Sequence, residues 1–244
     1  MIQKLVLQSI INKYYLGVNE SVKWKTQNNE LTVDFMTPNT EIIGNVTCTD
    51  FQLQDSELAI FDTKKLNNLI GITNGELLLE LEQQKSIYTK FKISDLNYNL
   101  TYALSDPLLI GKIGIVNEQE YEVELRLEKE DIEALIKAKS ALVGIDNMKI
   151  NTTRNLDDEK VCEFVFGDEM GNNNKITYQL RGRIDDEDLS LPFTSDMFKT
   201  VLYANKDQDY GTLKLSSVGL LHLQFISDTI TSNYYMVRKA EEGF

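Results

Sequence analysis

Apolar and polar positions alternate along most of this chain, and four runs with helical spacing interrupt the alternation. Leu31–Phe35, Val161–Phe166 and Lys175–Leu180 repeat with a period of two, the pattern of half-buried strands. The first helical run covers 3–15, with Leu7, Ile10, Ile11 and Tyr14 on one face. A second covers 62–73, with Asp62 as N-cap, Leu66, Leu69 and Ile70 as its stripe, and Phe61 placed to staple onto Leu66. A third, 128–142, is acidic at its start and carries Lys137 and Lys139 near its end, the polarity a helix dipole favours. The fourth covers 194–206, with Thr194 as cap and Phe193 stapling onto Phe198.

The order of these elements repeats. Phe61–Ile70 aligns with Phe193–Leu202 at an offset of 132, Ile93–Asp95 with Ile226–Asp228 at 133, and Tyr102 with Tyr235 at 133. The first helix aligns with the third, Ile10 and Ile11 falling on Leu135 and Ile136 at 125. Any one of these matches is worthless alone. Together, in one order of helix, strands, helix, strands, they predict a duplicated α+β unit. The 244 residues suffice for two cores. Pro107, Gly111 and Gly114 interrupt the strands between the halves, giving domains at 1–106 and 118–244 with a linker at 107–117.

Charge sharpens the picture. The net charge of −13 argues against nucleic acid if read as a sum. Its distribution argues otherwise: the four helical runs hold nine basic residues against six acidic ones, net +3, leaving −16 for strands and loops. On helical wheels Lys13, Lys64, Lys137 and Lys199 lie away from their apolar stripes, while Lys139 falls within its stripe and is expected to snorkel. Lys4, Lys65 and Lys206 complete the lysines expected to face a polyanion. A mildly positive helix layer under an acidic exterior suits sequence-independent contact with DNA phosphates.

The usual catalytic constellations are missing from the sequence. A single histidine, His222, sits in a strand pattern, and Cys48 and Cys162 lie far apart in apolar stretches. There is no phosphate-binding Gly-rich loop and no His-Glu-x-x-His. The acidic runs 157–159 and 185–188 read as solvated loops, since neighbouring loop carboxylates rarely converge on one ion without a shaped turn. We expect no catalytic residue, no metal site and no cofactor. No stretch has the apolar length of a membrane span, and no signal-peptide pattern opens the chain, which points to the cytoplasm.

Four segments carry a family resemblance. Asp55–Ile72, Glu130–Leu142, Tyr102–Pro107 and Asn233–Phe244 resemble, in order, the second helix, the helix opening the second domain, the end of the first domain, and the last strand and tail of sliding clamps from T-even-type tailed phages. The resemblance implies an α+β fold of two similar clamp domains, each with antiparallel sheets outside and two helices on one face. Three such subunits would form a homotrimeric ring around double-stranded DNA. It implies tethering of the replicative DNA polymerase, loading by an ATP-driven clamp loader, a role with late-transcription factors, and residence in the infected host's cytoplasm. Partner peptides would dock in an apolar pocket drawing on Pro107, Leu108, Leu109, Met236 and Val237. Edge strands near 98–104 and 175–181 would join subunits. The long first helix region and the acidic third helix depart from the family pattern.

Other readings stay open on sequence alone. A β-rich structural or adaptor virion protein would pack the same helices into its core. A metal-dependent nuclease would use the acidic runs, and an acidic DNA mimic would bind DNA-binding proteins.

Overall fold

The computed structural model describes residues 1–114, 116–117, 119–167, 174–186 and 188–240. The chain divides into two compact units, Met1–Ile115 with Ser227–Ser232, and Val116–Ile226 with Asn233–Phe244.

The first unit begins with β1 (Ile2–Gln3), α1 (Lys4–Tyr15), β2 (Val22–Gln27), β3 (Glu30–Met36), β4 (Ile42–Cys48) and β5 (Ser56–Ile60). It continues with α2 (Thr63–Gly71), β6 (Glu76–Gln84), β7 (Ile87–Ser94) and β8 (Asn99–Ala103). The strands form two antiparallel runs, β1-β6-β7-β8 and β5-β2-β3-β4. A 3-10 turn, Pro107–Leu109, follows.

The second unit holds β9 (Val123–Glu128), α3 (Lys129–Ala141), β10 (Met148–Arg154), β11 (Lys160–Gly167) and β12 (Lys175–Leu180). After these come β13 (Arg183–Ile184), β14 (Ser190–Phe193), α4 (Ser195–Ala204), β15 (Tyr210–Leu215), β16 (Leu220–Ile226) and β17 (Ile230–Val237), whose first residues are grouped with the first unit. Its strand runs are β9-β15-β16-β17, with β13 added beside β9, and β14-β10-β11-β12. Apart from β13, these orders reproduce those of the first unit strand for strand. The repeat read from sequence offsets is thus a repeat of topology: α2 corresponds to α4, β7 to β16 and β8 to β17.

Burial explains the strand and helix patterns. In β2, β3 and β4 every second residue is buried, including Val22, Trp24, Leu31, Val33, Phe35, Ile42 and Val46. Trp24 anchors the first core, with edge-on contacts to Tyr14 at 6.3 Å, Phe51 at 6.0 Å and Phe91 at 5.8 Å. The second core stacks Phe164 on Phe198 at 5.9 Å. There Asn205 of the α4 C-cap donates to the Tyr234 hydroxyl at 2.9 Å, which satisfies a buried polar group.

The helix ends mix agreement and correction. Asp62 caps α2, its Oδ1 accepting from Lys65 N at 2.8 Å. Glu128 and Asp131 form a capping box on α3. Thr194 makes no side-chain cap on α4. Asp146, from the loop after α3, does that work instead: its Oδ1 accepts from Asp196 N at 2.7 Å and Ser195 Oγ at 3.2 Å. A cap supplied by a distant segment leaves no local spacing to read. Phe61 is 53% exposed, so it does not cover the start of α2 as a buried staple would.

Candidate nucleic-acid interface

Each unit presents one pair of helices, and their charge differs sharply. α1 and α2 together carry four lysines and no acidic residue. α3 and α4 carry four lysines and four acidic residues.

Local chemistry decides which lysines can meet a ligand. Lys64 and Lys65, in the first turn of α2, are exposed. The carboxylates beside them are turned onto backbone: Glu20 Oε2 accepts from Lys64 N at 3.2 Å, and Asp62 binds Lys65 N. Asn67 Nδ2 donates to Asn12 Oδ1 at 3.3 Å, joining α2 to α1 with uncharged groups. Lys4 is half-buried, and its ammonium donates to Gly71 O at 2.8 Å and Thr73 O at 2.5 Å, the carbonyls at the end of α2. Lys13, expected on the outward face of α1, is buried at 1% exposure. The reason is that α1 packs against α2, β3 and β4, so its flanks are covered along with its apolar stripe.

In the second unit Lys137, Lys139 and Lys206 have partners. Lys139 does not snorkel: its side chain is 4% exposed, bonded to Ile145 O at 2.6 Å and paired with Asp196 Oδ1 at 2.8 Å. Lys137 is exposed and paired with Glu133 one turn away at 3.3 Å. Lys206, just past α4, lies 4.0 Å from the Tyr203 ring centroid and holds that phenol below its usual range. Lys199 is half-buried.

The residues expected for partner peptides fall into two groups. Pro107 is half-buried, while Leu108 and Leu109 are 89% and 69% exposed. Asp106 Oδ1 accepts from Leu108 N at 2.9 Å and fixes this turn. Val237 is exposed, but Met236 is 1% exposed and faces the core. The correction follows from strand periodicity: Ser232, Tyr234 and Met236 share the core face of β17, so the opposite face is that of Tyr235 and Val237. Alternation alone would have nominated Tyr235. Its ring stacks on His222 at 4.4 Å, and His222 Nε2 is 3.0 Å from Asn233 Oδ1. Burial pushes this imidazole below its ordinary range.

Several of the groups considered for chemistry are otherwise engaged. Burial raises the Cys48 thiol to about 11 and Cys162 to about 12, which suppresses the reactive thiolate. Asp158 pairs with Arg154 at 3.4 Å, Glu159 with Arg181 at 2.5 Å, and Asp185 with Arg183. Glu187 lies outside the described residues. Among the described residues no cluster of three or more His, Cys, Asp or Glu is placed to hold a metal ion, and no helix is long and apolar enough to cross a membrane.

No family model matches this sequence, and no curated protein does. Solved structures do match its fold. Proliferating cellular nuclear antigen (PCNA) from Entamoeba histolytica superposes with a TM-score of 0.76 and 14% identity, over 98% of this chain and 96% of that one. PCNA of A. fulgidus, solved with the C-terminal region of FEN-1 bound, gives 0.79 and 13%, over 99% and 98%. The chain therefore has the fold of a PCNA-type sliding-clamp subunit over essentially its whole length.

Proposed function

We propose that this protein is a DNA sliding clamp. Three copies join head to tail into a ring around duplex DNA, and the ring tethers a replicative polymerase after an ATP-driven loader has placed it. The protein performs no catalysis. Its mechanism is topological, because an enclosed duplex cannot leave sideways while weak phosphate contacts still permit sliding.

The observation that carries this reading is the coverage of the fold match together with two strand edges. β8 ends the run β1-β6-β7-β8, and β12 ends the run β14-β10-β11-β12. Each edge has backbone groups without a strand partner on one side among the described residues. Such edges invite pairing with another chain. One edge from each unit makes a heterologous contact, which closes into a ring when the rotation divides a full turn. Exposed Thr101 and Ala103 on β8, and Lys175, Thr177 and Gln179 on β12, are small or polar, which suits a regulated contact better than open-ended aggregation. Leu108 and Leu109, held outward by the turn that Asp106 caps, are proposed as anchors for partner peptides. In a phage, the same ring would serve late-transcription factors.

Solution mass tests the assembly. Sedimentation at micromolar concentration is expected to give three times 27.9 kDa. A monomer under those conditions would remove the ring and the function built on it.

A further inference from the structure

Resting on the ring reading above, we propose that only one of the two helix pairs grips the duplex: α1 and α2 of the first unit, through Lys64 and Lys65. The second pair is electrostatically self-neutralised. A ring would then present its positive charge as one patch per copy, alternating with neutral stretches, rather than as a continuous basic lining.

The argument starts from composition. The α1–α2 pair has lysines without acids, whereas every lysine of α3–α4 is matched in number by a carboxylate on the same two helices. Position then narrows the first set. Lys13 is buried and Lys4 serves the carbonyls that end α2, which leaves Lys64 and Lys65 exposed. The nearby Glu20 and Asp62 accept α2 amides, and Glu20 Oε1 also accepts from the Tyr15 hydroxyl at 3.0 Å, so both carboxylates have donors of their own beside the two ammonium groups. Both ammonium groups project from the positive end of a helix dipole, where an anion is favoured. Asn12, Asn67 and Asn68 continue the surface with neutral hydrogen-bonding groups, so the two helices themselves carry no acid to repel a phosphate.

The second pair carries on its own helices the acids that the first lacks. The Lys139 charge is buried against Asp196, and Lys137 already faces Glu133. Lys129 lies in sequence between Glu128 and Glu130, both exposed. Glu130 and Glu133 are exposed on α3 along with Lys137, so a phosphate approaching that helix meets repulsion as well as attraction.

The test is binding to a short linear duplex, onto whose ends a ring can thread without a loader. Fluorescence anisotropy across a salt series would compare the wild-type chain with the double variants K64E/K65E and K137E/K199E. We expect K64E/K65E to weaken binding by about tenfold or more, and K64A/K65A to reduce the slope of log K against log salt by about 2, one unit per lost contact. K137E/K199E is expected to stay within about twofold of wild type, since Lys137 is already paired with Glu133 and Lys199 is half-buried. Equal or greater loss in K137E/K199E, or undiminished binding by K64E/K65E, would overturn the one-pair assignment. Sedimentation of the same samples separates the two claims. A monomer whose binding still depends on Lys64 and Lys65 sinks the ring and keeps the DNA-facing assignment, while a trimer indifferent to both pairs does the reverse.

Discussion

The helix pairs α1–α2 and α3–α4 occupy matching places in two units of matching topology, yet their ends are fastened by different means. In the first unit, side chains reach backbone: Glu20 and Asp62 take the first amides of α2, and Lys4 takes its last carbonyls. In the second, charge binds charge and segment binds segment. Lys139 of α3 pairs with Asp196 of α4, Asp146 caps α4, and Lys239 donates to Asp146 O at 2.6 Å. Lysines used as internal fasteners are lost to a ligand. The two units share the path of the backbone while their charges do different work, and counting lysines per helix therefore overstates a binding surface.

The largest effect expected from this difference is in stability. Asp196→Ala would leave the Lys139 ammonium, 4% exposed, with carbonyl partners only. Breaking a buried pair from one side is expensive, but Asp196 is itself 64% exposed and water can replace part of it. We expect a loss of about 1–3 kcal/mol. In the first unit, Asp62→Ala removes an ordinary cap and should cost about 1 kcal/mol. Urea unfolding of the two variants checks the order. An Asp62→Ala loss as large as that of Asp196→Ala would erase the distinction between the two modes of fastening.

A smaller effect should separate the units by pH. His222 is the chain's one histidine and lies in β16. Burial lowers its pKa first, and Lys214 adds to the lowering, while the Asn233 contact opposes both. Tyr235 and Tyr121 are its aromatic neighbours, at 4.4 and 6.1 Å. With the folded pKa depressed, the unfolded chain binds more protons below about pH 6.5, so stability is retained above that pH and drains away as pH falls. Thermal melts from pH 7.5 to 5.5 should show a decline that His222→Gln reduces. An identical decline in the variant would assign it to other groups.

Much of the fold was legible because its signals are local. Stripes such as Leu7, Ile10, Ile11 and Tyr14, alternation such as Leu31–Phe35, and the Asp62 cap each lie within one element. The repeat was legible for the same reason, since both copies kept their element order. The strands expected near 98–104 and 175–181 occur at Asn99–Ala103 and Lys175–Leu180, each ending its strand run. The candidate site was less legible. A helical wheel sees one helix, whereas Lys13 is buried by the elements packed around α1, and Lys139 finds its acid 57 positions away in sequence. Met236 and Val237 are adjacent in β17, and the strand period places them on opposite faces, so only Val237 is exposed.

Enclosure of DNA is the central claim, and its most direct test is topological. The protein would be assembled on nicked circular duplex by the loader of its own replication system, and the circle then cut once. The account predicts retention on the circle in moderate salt and rapid loss once an end is available. Equal retention on circular and cut DNA would mean gripping rather than encirclement, and would contradict it.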